Sequence, residues 1–285
     1  MSHPLESTHS SGFVSLVGAG PGSPDLITLR GLRALQRAEV ILYDALLEPD
    51  FADLFPVQAL ALPAGKRCGG LGITQERIHE LLIEHASAGR RVVRLKGGDP
   101  FIFGRGGEEA QALADAGIPF EVIPGVSALQ GAAAASGVPL THRGVAREVR
   151  ILEGHHLLES NTNWFELART EATLAIFMGT RTLHAVAQRL LDHGAPPDLP
   201  LALVEKACCA GQTTTLSTLR LAAEGHVRCR THGPGLVYLG AAIRHRVLSL
   251  PSDSFQAETH DPAAAVSGFE GEASAARGGR KRRAG

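Results

Sequence analysis

The sequence predicts an α/β protein with a largely parallel sheet, and three observations support this prediction. Short apolar or β-branched runs alternate with longer segments of helical periodicity through residues 13–250. Glycine-rich turns follow several of the predicted strands, as in open sheets whose strands pass into helices. The length of 285 residues exceeds the usual size of one hydrophobic core, so two domains or one large α/β domain are expected.

The predicted elements follow one another in alternation. Strands are predicted at residues 14–17, 40–43, 92–95, 121–123, 149–152, 174–178, 201–204 and 236–239. Helices are predicted at residues 26–37, 75–87, 106–116 and 181–193, where apolar side chains recur on one face.

The domain prediction divides the chain into four segments. Residues 1–12 are polar and Ser-rich and are expected to form a flexible leader. An N-terminal α/β domain over residues 13–140 and a C-terminal α/β domain over residues 141–250 follow. Residues 251–285 are poor in large apolar side chains and are expected to be a disordered tail. Its basic end is interpreted as a solvated charge run rather than an RNA contact.

Composition narrows the range of functions. The chain is 44% hydrophobic and 20% charged, with a formal net charge of −1, so it has no global field that would attract nucleic acid or an anionic membrane. The four cysteines show no zinc-binding spacing, and no metal is expected. Neither a secretory signal nor an apolar run of about 18 residues occurs. We therefore expect a cytoplasmic protein with no membrane or nucleic-acid partner.

Three glycine turns follow predicted strands. Turn 1, residues 17–23 (VGAGPGS), fits a dinucleotide fingerprint poorly because Ser23 occupies the third glycine position and Pro21 lacks an N–H. Turn 2, residues 96–109 (KGGDPFIFGRGGEE), has five glycines within eleven residues, which predicts positive φ angles or close approach to a ligand. Turn 3, residues 123–128 (IPGVSA), contains Ser127, which could cap a helix or contact a ligand.

Six segments resemble one known family. VGAGPGSPDLITLRGL, ILYDALL, AGKRCG, VVRLKGGDPFIFGRGGEE, IPGVSALQGAAAASGVPLTHRG and IFMGTRTL occur in the order and spacing of the class III, or tetrapyrrole, methyltransferases, within which they are similar to the uroporphyrinogen-III C-methyltransferases. The resemblance covers about residues 14–247. It implies two α/β domains of the tetrapyrrole methylase type, an active site in the cleft between them, and a homodimer.

The resemblance also implies a cofactor and the residues that contact it. S-adenosyl-L-methionine would bind in a folded conformation, with S-adenosyl-L-homocysteine as the product. Met178, which by itself would be interpreted as core filling, becomes an expected adenosine-pocket residue. The implied cofactor contacts are Pro21, Gly97, Gly98, Asp99, Ile102, Ser127, Ala128, Met178, Ala207 and Gly235.

The implied substrate is uroporphyrinogen III, methylated twice, at C2 and C7, to give precorrin-2 through precorrin-1. A later precorrin is the alternative substrate, and the GKR and THR motifs favour the first. Because the substrate is a polycarboxylate, arginines are expected to recognise it. The candidates are Arg67, Arg105, Arg143 and Arg147.

Candidate acid–base groups follow from the chemistry. Methylation of a pyrrole carbon leaves a cationic ring that must lose a proton, so a carboxylate near the substrate is expected. The resemblance assigns Asp44 as this base and Lys66 as a proton donor, whereas without it Asp44 could cap a helix and Lys66 could be a solvated loop residue. Glu108 and Arg105 form a further catalytic candidate pair, although Glu108 could merely favour a helix dipole.

Some positions depart from the family pattern. Ser127 stands in place of threonine, Leu71 in place of histidine, and Glu153 begins a segment that is usually Thr-Gly-His. The last two affect the expected substrate contacts. His142 and the adjacent Cys208 and Cys209 are assigned no catalytic role.

Two other function classes remain as alternatives. A nicotinamide-dependent oxidoreductase would explain turn 1 but not turn 2, and a non-catalytic module could retain a cofactor pocket. No fused dehydrogenase-ferrochelatase domain is expected, because few residues precede the first predicted strand.

Overall fold

The first half of the chain forms a five-stranded parallel sheet. A computed structural model describes residues 12–45, 47–65, 73–159, 161–231 and 233–247. Within these residues the strand order is β3-β2-β4-β1-β5, and every neighbouring pair is parallel. All carboxyl ends therefore lie along one edge. The strands are β1 (Phe13–Gly18), β2 (Val40–Tyr43), β3 (Leu60–Pro63), β4 (Arg91–Lys96) and β5 (Phe120–Ile123).

The second half forms a mixed five-stranded sheet in the order β6-β7-β10-β8-β9. The pair β6 and β7 is parallel, whereas β10 runs antiparallel to both of its neighbours and β9 antiparallel to β8. The strands are β6 (Val149–Glu153), β7 (Thr173–Phe177), β8 (Pro200–Glu205), β9 (Thr213–Thr218) and β10 (Gly235–Leu239).

Helices lie between the strands. They are α1 (Leu29–Gln36), α2 (Gln75–Ser87), α3 (Gly106–Asp115), α4 (Ala128–Ser136), α5 (Trp164–Arg169), α6 (Leu183–Asp192) and α7 (Leu219–Ala223). Short 3-10 helices occupy Pro24–Leu26, Pro49–Leu54 and Ala241–His245. No helix in the described ranges is both long and apolar enough to span a bilayer.

Each sheet buries apolar side chains on both faces. In the first sheet, Val14 and Leu16 pack with Leu82 of α2 on one face, and Val17 and Ile41 pack with Leu35 of α1 on the other. One face of the second sheet packs on α5, α6 and α7. Its other face packs on α4, which directly follows β5 of the first sheet. Helix α4 therefore joins the two halves, and the described residues form one unit.

Most predicted elements are confirmed, and the differences have physical reasons. The predicted helix at residues 26–37 starts at Leu29, because Thr28 is its N-cap and accepts the Gly31 N–H at 3.1 Å. The predicted strand at residues 174–178 ends at Phe177, since Met178 has a left-handed φ of 53°. The second sheet is mixed rather than largely parallel.

Two strands were not predicted. Strand β3 lies at the edge of its sheet and ends in Pro63, and β9 (TTTLST) lacks an apolar run. Both depend on a neighbouring strand more than on their own hydrophobic pattern. The boundary near residue 140 stays a prediction, and the leader and tail lie outside the described residues.

Candidate active site

Turns 1 and 2 are joined backbone to backbone where neighbouring strands end. Strands β1 and β4 are adjacent in the first sheet, and beyond them Gly20 and Gly98 form an isolated β-bridge. The Gly98 N–H donates to the Gly20 carbonyl at 2.7 Å, and the Gly20 N–H donates to the Gly98 carbonyl at 3.2 Å. Both glycines have positive φ, 89° at Gly20 and 68° at Gly98, which is a conformation that glycine adopts at little cost.

Turn 3 packs against the other two turns at the closest approach that glycine allows. A Cβ on Gly125 would lie 2.3 Å from the Gly98 carbonyl oxygen, and a Cβ on Gly18 would lie 2.5 Å from the Gly125 nitrogen. The Asp99 carboxylate fastens the arrangement, since its Oδ2 accepts the Gly125 N–H at 3.1 Å and its Oδ1 accepts the Phe101 N–H at 2.9 Å. The three turns therefore form one surface.

The start of α4 lies on this surface. Ser127 is its N-cap, buried, and its hydroxyl accepts the Leu129 N–H at 3.2 Å. A Cβ on Gly98 would stand 3.6 Å from the Ala128 nitrogen. The structure thus brings Ser127 and Ala128 next to Gly98, as the cofactor prediction requires. The Ser127 hydroxyl also serves as the helix cap, which uses it as an acceptor.

Turn 1 also contacts the loop that follows β8 of the second sheet. Pro21 packs on α4, where a Cβ on Gly131 would come within 2.3 Å of the proline ring. A Cβ on Gly22 would lie 2.8 Å from the Ala207 carbonyl oxygen and 2.6 Å from the Cys209 sulfur. Pro21 and Ala207, which are 186 positions apart in the sequence, thus come from different sheets to the same place.

The remaining cofactor candidates from the second sheet lie at one edge of it. Strand β10 begins at Gly235, opposite Glu205 at the end of β8, and its next residue is opposite Phe177 at the end of β7. Because β10 is antiparallel to both neighbours, Met178, Ala207 and Gly235 share that edge. Met178, Lys206 and Cys208 all have left-handed φ angles between 49° and 59°, which costs energy in residues other than glycine and is typical of functional sites.

Turn 2 reaches from the first sheet to the second. The rings of Phe103 and Phe177 are in contact, with centroids 5.0 Å apart and planes tilted by 50°. Ile102 and Met178 are each more than one third exposed. Apolar side chains from both halves thus lie near one another and are partly open to solvent.

The surface of the three turns and its neighbours offer both polar and apolar groups to a small ligand. A Cβ on Gly97 would meet no described atom within 4 Å, so the backbone there is open to a ligand. Ile102 and Met178 offer apolar surface, and the turns offer backbone polar groups, which is the mixture that small-ligand sites use. The described contacts bring together seven of the ten predicted cofactor residues, and their contact with S-adenosylmethionine stays a prediction: Pro21, Gly97, Gly98, Asp99, Ser127, Ala128 and Ala207.

The predicted base, Asp44, lies directly beside this surface. Strand β2 neighbours β4, so Asp44 at the end of β2 stands next to Gly97, whose N–H donates to Asp44 Oδ2 at 3.1 Å. Asp44 Oδ1 accepts from the Arg94 guanidinium. Its side chain is 24% exposed and can therefore still meet a ligand.

The other catalytic candidates are distributed unevenly. Arg105 and Glu108 form an exposed bidentate pair at the start of α3, at 2.7 and 2.8 Å. Their hydrogen bond raises the pKa of Arg105 and lowers that of Glu108. Arg143 is exposed on the loop before β6, and its guanidinium has no ion-pair partner in the described ranges. Lys66 and Arg67 lie outside the described residues.

The two cysteines in the loop that follows β8, Cys208 and Cys209, are poor nucleophiles. Burial raises the pKa of the Cys208 thiol and, aided by the Glu48 carboxylate, raises that of Cys209 to about 12. Thiolates, the reactive form, are therefore disfavoured at neutral pH.

A buried charged cluster was missed from the sequence. Arg94, Lys96 and Glu109 are each at most 3% exposed. The signal in the sequence was the pair of basic residues, Arg94 and Lys96, within the otherwise apolar strand RVVRLK. Two buried basic residues in a parallel strand require a carboxylate partner. Glu205, buried at the end of β8, was also missed. A single charged residue at the end of an apolar strand was its only signal in the sequence.

Comparison with known proteins identifies the family. The model of the Tetrapyrrole (Corrin/Porphyrin) Methylases matches residues 14–223, which include all three turns, Asp44, Met178 and Ala207. The chain belongs to the tetrapyrrole methylase family. The predicted resemblance and fold class are confirmed, and the prediction of a methyltransferase is confirmed at the level of the family.

Solved structures of tetrapyrrole methylases share this fold. The uroporphyrin-III C-methyl transferase from Thermus thermophilus complexed with S-adenyl homocysteine is 40% identical, with a TM-score of 0.71, covering 82% of this chain and all of that one. A cobalt precorrin-4 methyltransferase is 26% identical, with a TM-score of 0.72, covering 84% and 99%. The prediction of S-adenosylmethionine as methyl donor is confirmed for the family by the bound product in the first of these.

The curated relatives are longer proteins. Siroheme synthase 1 of Halorhodospira halophila is 48% identical over 234 residues, which are 82% of this chain and 48% of that protein. The siroheme synthase of Acinetobacter baylyi is 44% identical over 243 residues, which are 85% and 53%. This chain spans about half the length of the curated relatives it matches.

Proposed function

We propose that this tetrapyrrole methylase transfers two methyl groups to uroporphyrinogen III, at C2 and C7, and releases precorrin-2 after passing through precorrin-1. The observation that carries the proposal is the bond between the Gly97 N–H and Asp44 Oδ2 at 3.1 Å. It fixes a partly exposed carboxylate on the same backbone that would hold the methyl donor.

The chain's own groups would position the substrate and accept its proton. S-adenosylmethionine, when bound, supplies an electrophilic methyl group, so the main requirement is alignment of a ring carbon. The methylated ring is cationic and returns to neutrality when a carbon-bound proton leaves it. Asp44 would accept this proton, since its carboxylate is held by two donors and remains open on one side.

Exposed guanidinium groups support a polycarboxylate substrate. Arg105 and Arg143 are exposed, and Arg105 lies within turn 2 as the N-cap residue of α3. A guanidinium binds a carboxylate through two parallel hydrogen bonds. Glu108, which now pairs with Arg105, would release it to the substrate or orient it.

An anaerobic assay with purified protein, uroporphyrinogen III and S-adenosylmethionine tests the proposal. We expect a mass gain of two methyl groups on the tetrapyrrole and two S-adenosylhomocysteines per substrate, with the singly methylated species as a transient. A gain of one methyl group would restrict the activity to the first step, and no gain would contradict the substrate.

The later-precorrin alternative is tested in parallel with precorrin-2 as substrate. Methylation of precorrin-2 with none of uroporphyrinogen III would replace our proposal. We also expect a homodimer, and light scattering on the eluted protein reads its mass directly.

A further inference from the structure

A buried ionic cluster connects Asp44 to helix α3. It consists of Asp44, Arg94, Lys96 and Glu109, two positive and two negative groups. Glu109 Oε1 accepts from Arg94 Nε at 3.0 Å and from Lys96 Nζ at 2.9 Å. Arg94 Nη2 donates to Asp44 Oδ1. Of the four, only Asp44 has appreciable exposure, at 24%, so it is the member of the cluster that reaches solvent.

The Arg94 guanidinium is held on every side. Besides the two carboxylates, its Nη1 donates to the Leu95 carbonyl at 3.2 Å and to the Leu42 carbonyl at 3.4 Å. These carbonyls belong to β4 and β2, the two strands that lead into Gly97 and Asp44. Because its Nε and both of its Nη nitrogens each donate to at least one partner, the orientation of the planar group is fixed.

The charges in the cluster are balanced by each other. Burial alone would lower the pKa of Arg94, but the Asp44 and Glu109 carboxylates together raise it above its ordinary value. Burial and the Arg94 charge lower the pKa of Lys96, against the opposing effect of Glu109. Replacing buried ion pairs by apolar residues of similar volume is often neutral or stabilising, so a gain in stability is a weak explanation for four charges here.

The cluster cannot serve as a proton relay through Arg94, because a guanidinium does not give up its proton in a protein. Its effect on Asp44 must therefore be geometric and electrostatic. With Gly97 N–H on Oδ2 and Arg94 on Oδ1, both carboxylate oxygens are fixed, and the plane of the group is set relative to the cofactor surface.

We infer that Arg94 is a positioning residue for Asp44, and that Glu109, fully buried on α3, holds Arg94 in that role. The inference rests on the proposed function, in which Asp44 accepts the substrate proton. Membership of the family does not by itself say what orients the base. We infer that this orientation depends on a buried residue of another strand.

The test is a double-mutant cycle with Arg94→Lys and Asp44→Asn. A lysine keeps the charge but is a point charge, and it cannot reach both Asp44 and Glu109. We expect Arg94→Lys to lower kcat about tenfold to a hundredfold, with KM for both substrates within about threefold of wild type. In the Asp44→Asn background the same change should lower kcat no further, because coupled groups are not additive.

Matched variants and a structural readout separate the possible outcomes. Arg91→Lys changes an exposed arginine on the same strand, bound to Glu39, and should leave kcat unchanged. S-adenosylhomocysteine affinity reports folding of each variant. If Arg94→Lys does not fold, Glu109→Gln, which keeps one acceptor for the guanidinium, should give a smaller loss of kcat that is again absent in the Asp44→Asn background.

Equal losses in both backgrounds, or an unchanged kcat, would overturn the inference. A crystal structure of the Arg94→Lys protein tests the orientation of Asp44 without an activity assay. We expect the Asp44 carboxylate to have rotated away from the Gly97 N–H, and an unmoved carboxylate overturns the inference. If the wild type instead fails to methylate uroporphyrinogen III, the proposed function fails, and the crystallographic result still decides the role of Arg94.

Discussion

Asp99 Oδ2 accepts the backbone N–H of Gly125 at 3.1 Å, across a sequence separation of 26 residues. The bond joins turns 2 and 3 at the point where their backbones are closest. Since a side chain at Gly125 would overlap the Gly98 carbonyl oxygen, the contact requires both the carboxylate and the glycine. The surface of the three turns therefore depends on glycine backbones in direct contact and on one bridging carboxylate.

Gly125→Ala should disrupt this surface. The new Cβ would lie 2.3 Å from a backbone oxygen, so the turns must separate. We expect S-adenosylhomocysteine affinity to fall at least tenfold and stability to fall by about 1–3 kcal/mol, measured by calorimetry and urea unfolding.

Gly107→Ala is the matched control for this change. A Cβ there would meet no described atom within 4 Å, and the position lies in the first turn of α3. We expect unchanged affinity and a stability equal to or up to about 1 kcal/mol above wild type, because alanine favours the helix. Equal loss of affinity in the two variants would argue against close packing as the cause.

Arg105→Asn should affect the substrate more than the fold. Arg105 has a φ of 58°, which asparagine tolerates, and its exposed pair with Glu108 contributes at most about 1 kcal/mol. We expect KM for uroporphyrinogen III to rise about tenfold or more, with an unchanged melting temperature and unchanged S-adenosylhomocysteine affinity. A wild-type KM in this variant would show that Arg105 does not bind the substrate.

Met178→Ala and Met178→Gly should both weaken cofactor binding. Met178 is 38% exposed, so removal of its side chain costs little in the core, but it takes away apolar surface next to the end of β7. We expect S-adenosylhomocysteine affinity to fall about threefold to tenfold in both. Because Met178 has a φ of 53°, the glycine variant should be at least as stable as the alanine variant. Wild-type affinity in both would exclude Met178 from the adenosine pocket.

Glu205→Gln should change how stability depends on pH. Glu205 is fully buried and accepts the backbone N–H groups of Arg230 and Thr231 at 2.8–3.1 Å, together with two threonine hydroxyls. Burial would raise the pKa of this carboxyl, but the hydrogen bonds outweigh burial and hold it below the ordinary value of 4.5.

The sign of the effect follows from proton binding. In the acidic range the unfolded chain binds the proton more readily than the folded one, so the stabilisation is complete above about pH 4.5 and is lost as the pH falls through the lower folded value. Glu205→Gln should lower stability at pH 7 by roughly 1–3 kcal/mol and flatten the loss between pH 5 and lower values. Glu80→Gln, at an exposed position on α2, is the control and should change neither the stability at pH 7 nor its loss at lower pH. An unflattened curve for Glu205→Gln would assign the acid sensitivity to other groups.

Local patterns in the sequence were sufficient for much of the fold. The runs at β2 and α2 were predicted with their observed ends, because a buried β-branched strand and an amphipathic helix each carry their own periodicity. Strands β3 and β9 lack such a pattern and form because a neighbouring strand supplies their hydrogen bonds. The antiparallel insertion of β10 between β7 and β8 is a long-range pairing that no local pattern records.

The candidate site divides in the same way. By itself the sequence determined the glycine turns and the family resemblance, because these depend on residue type and spacing along the chain, and the resemblance in turn implied Asp44 as a base candidate. Only the tertiary structure decided that Pro21 meets the loop at Ala207, and that the buried Arg94, itself bound to Glu109, donates to Asp44. Those contacts join residues from different strands and sheets, and a buried charge gains its partner only when the chain has folded.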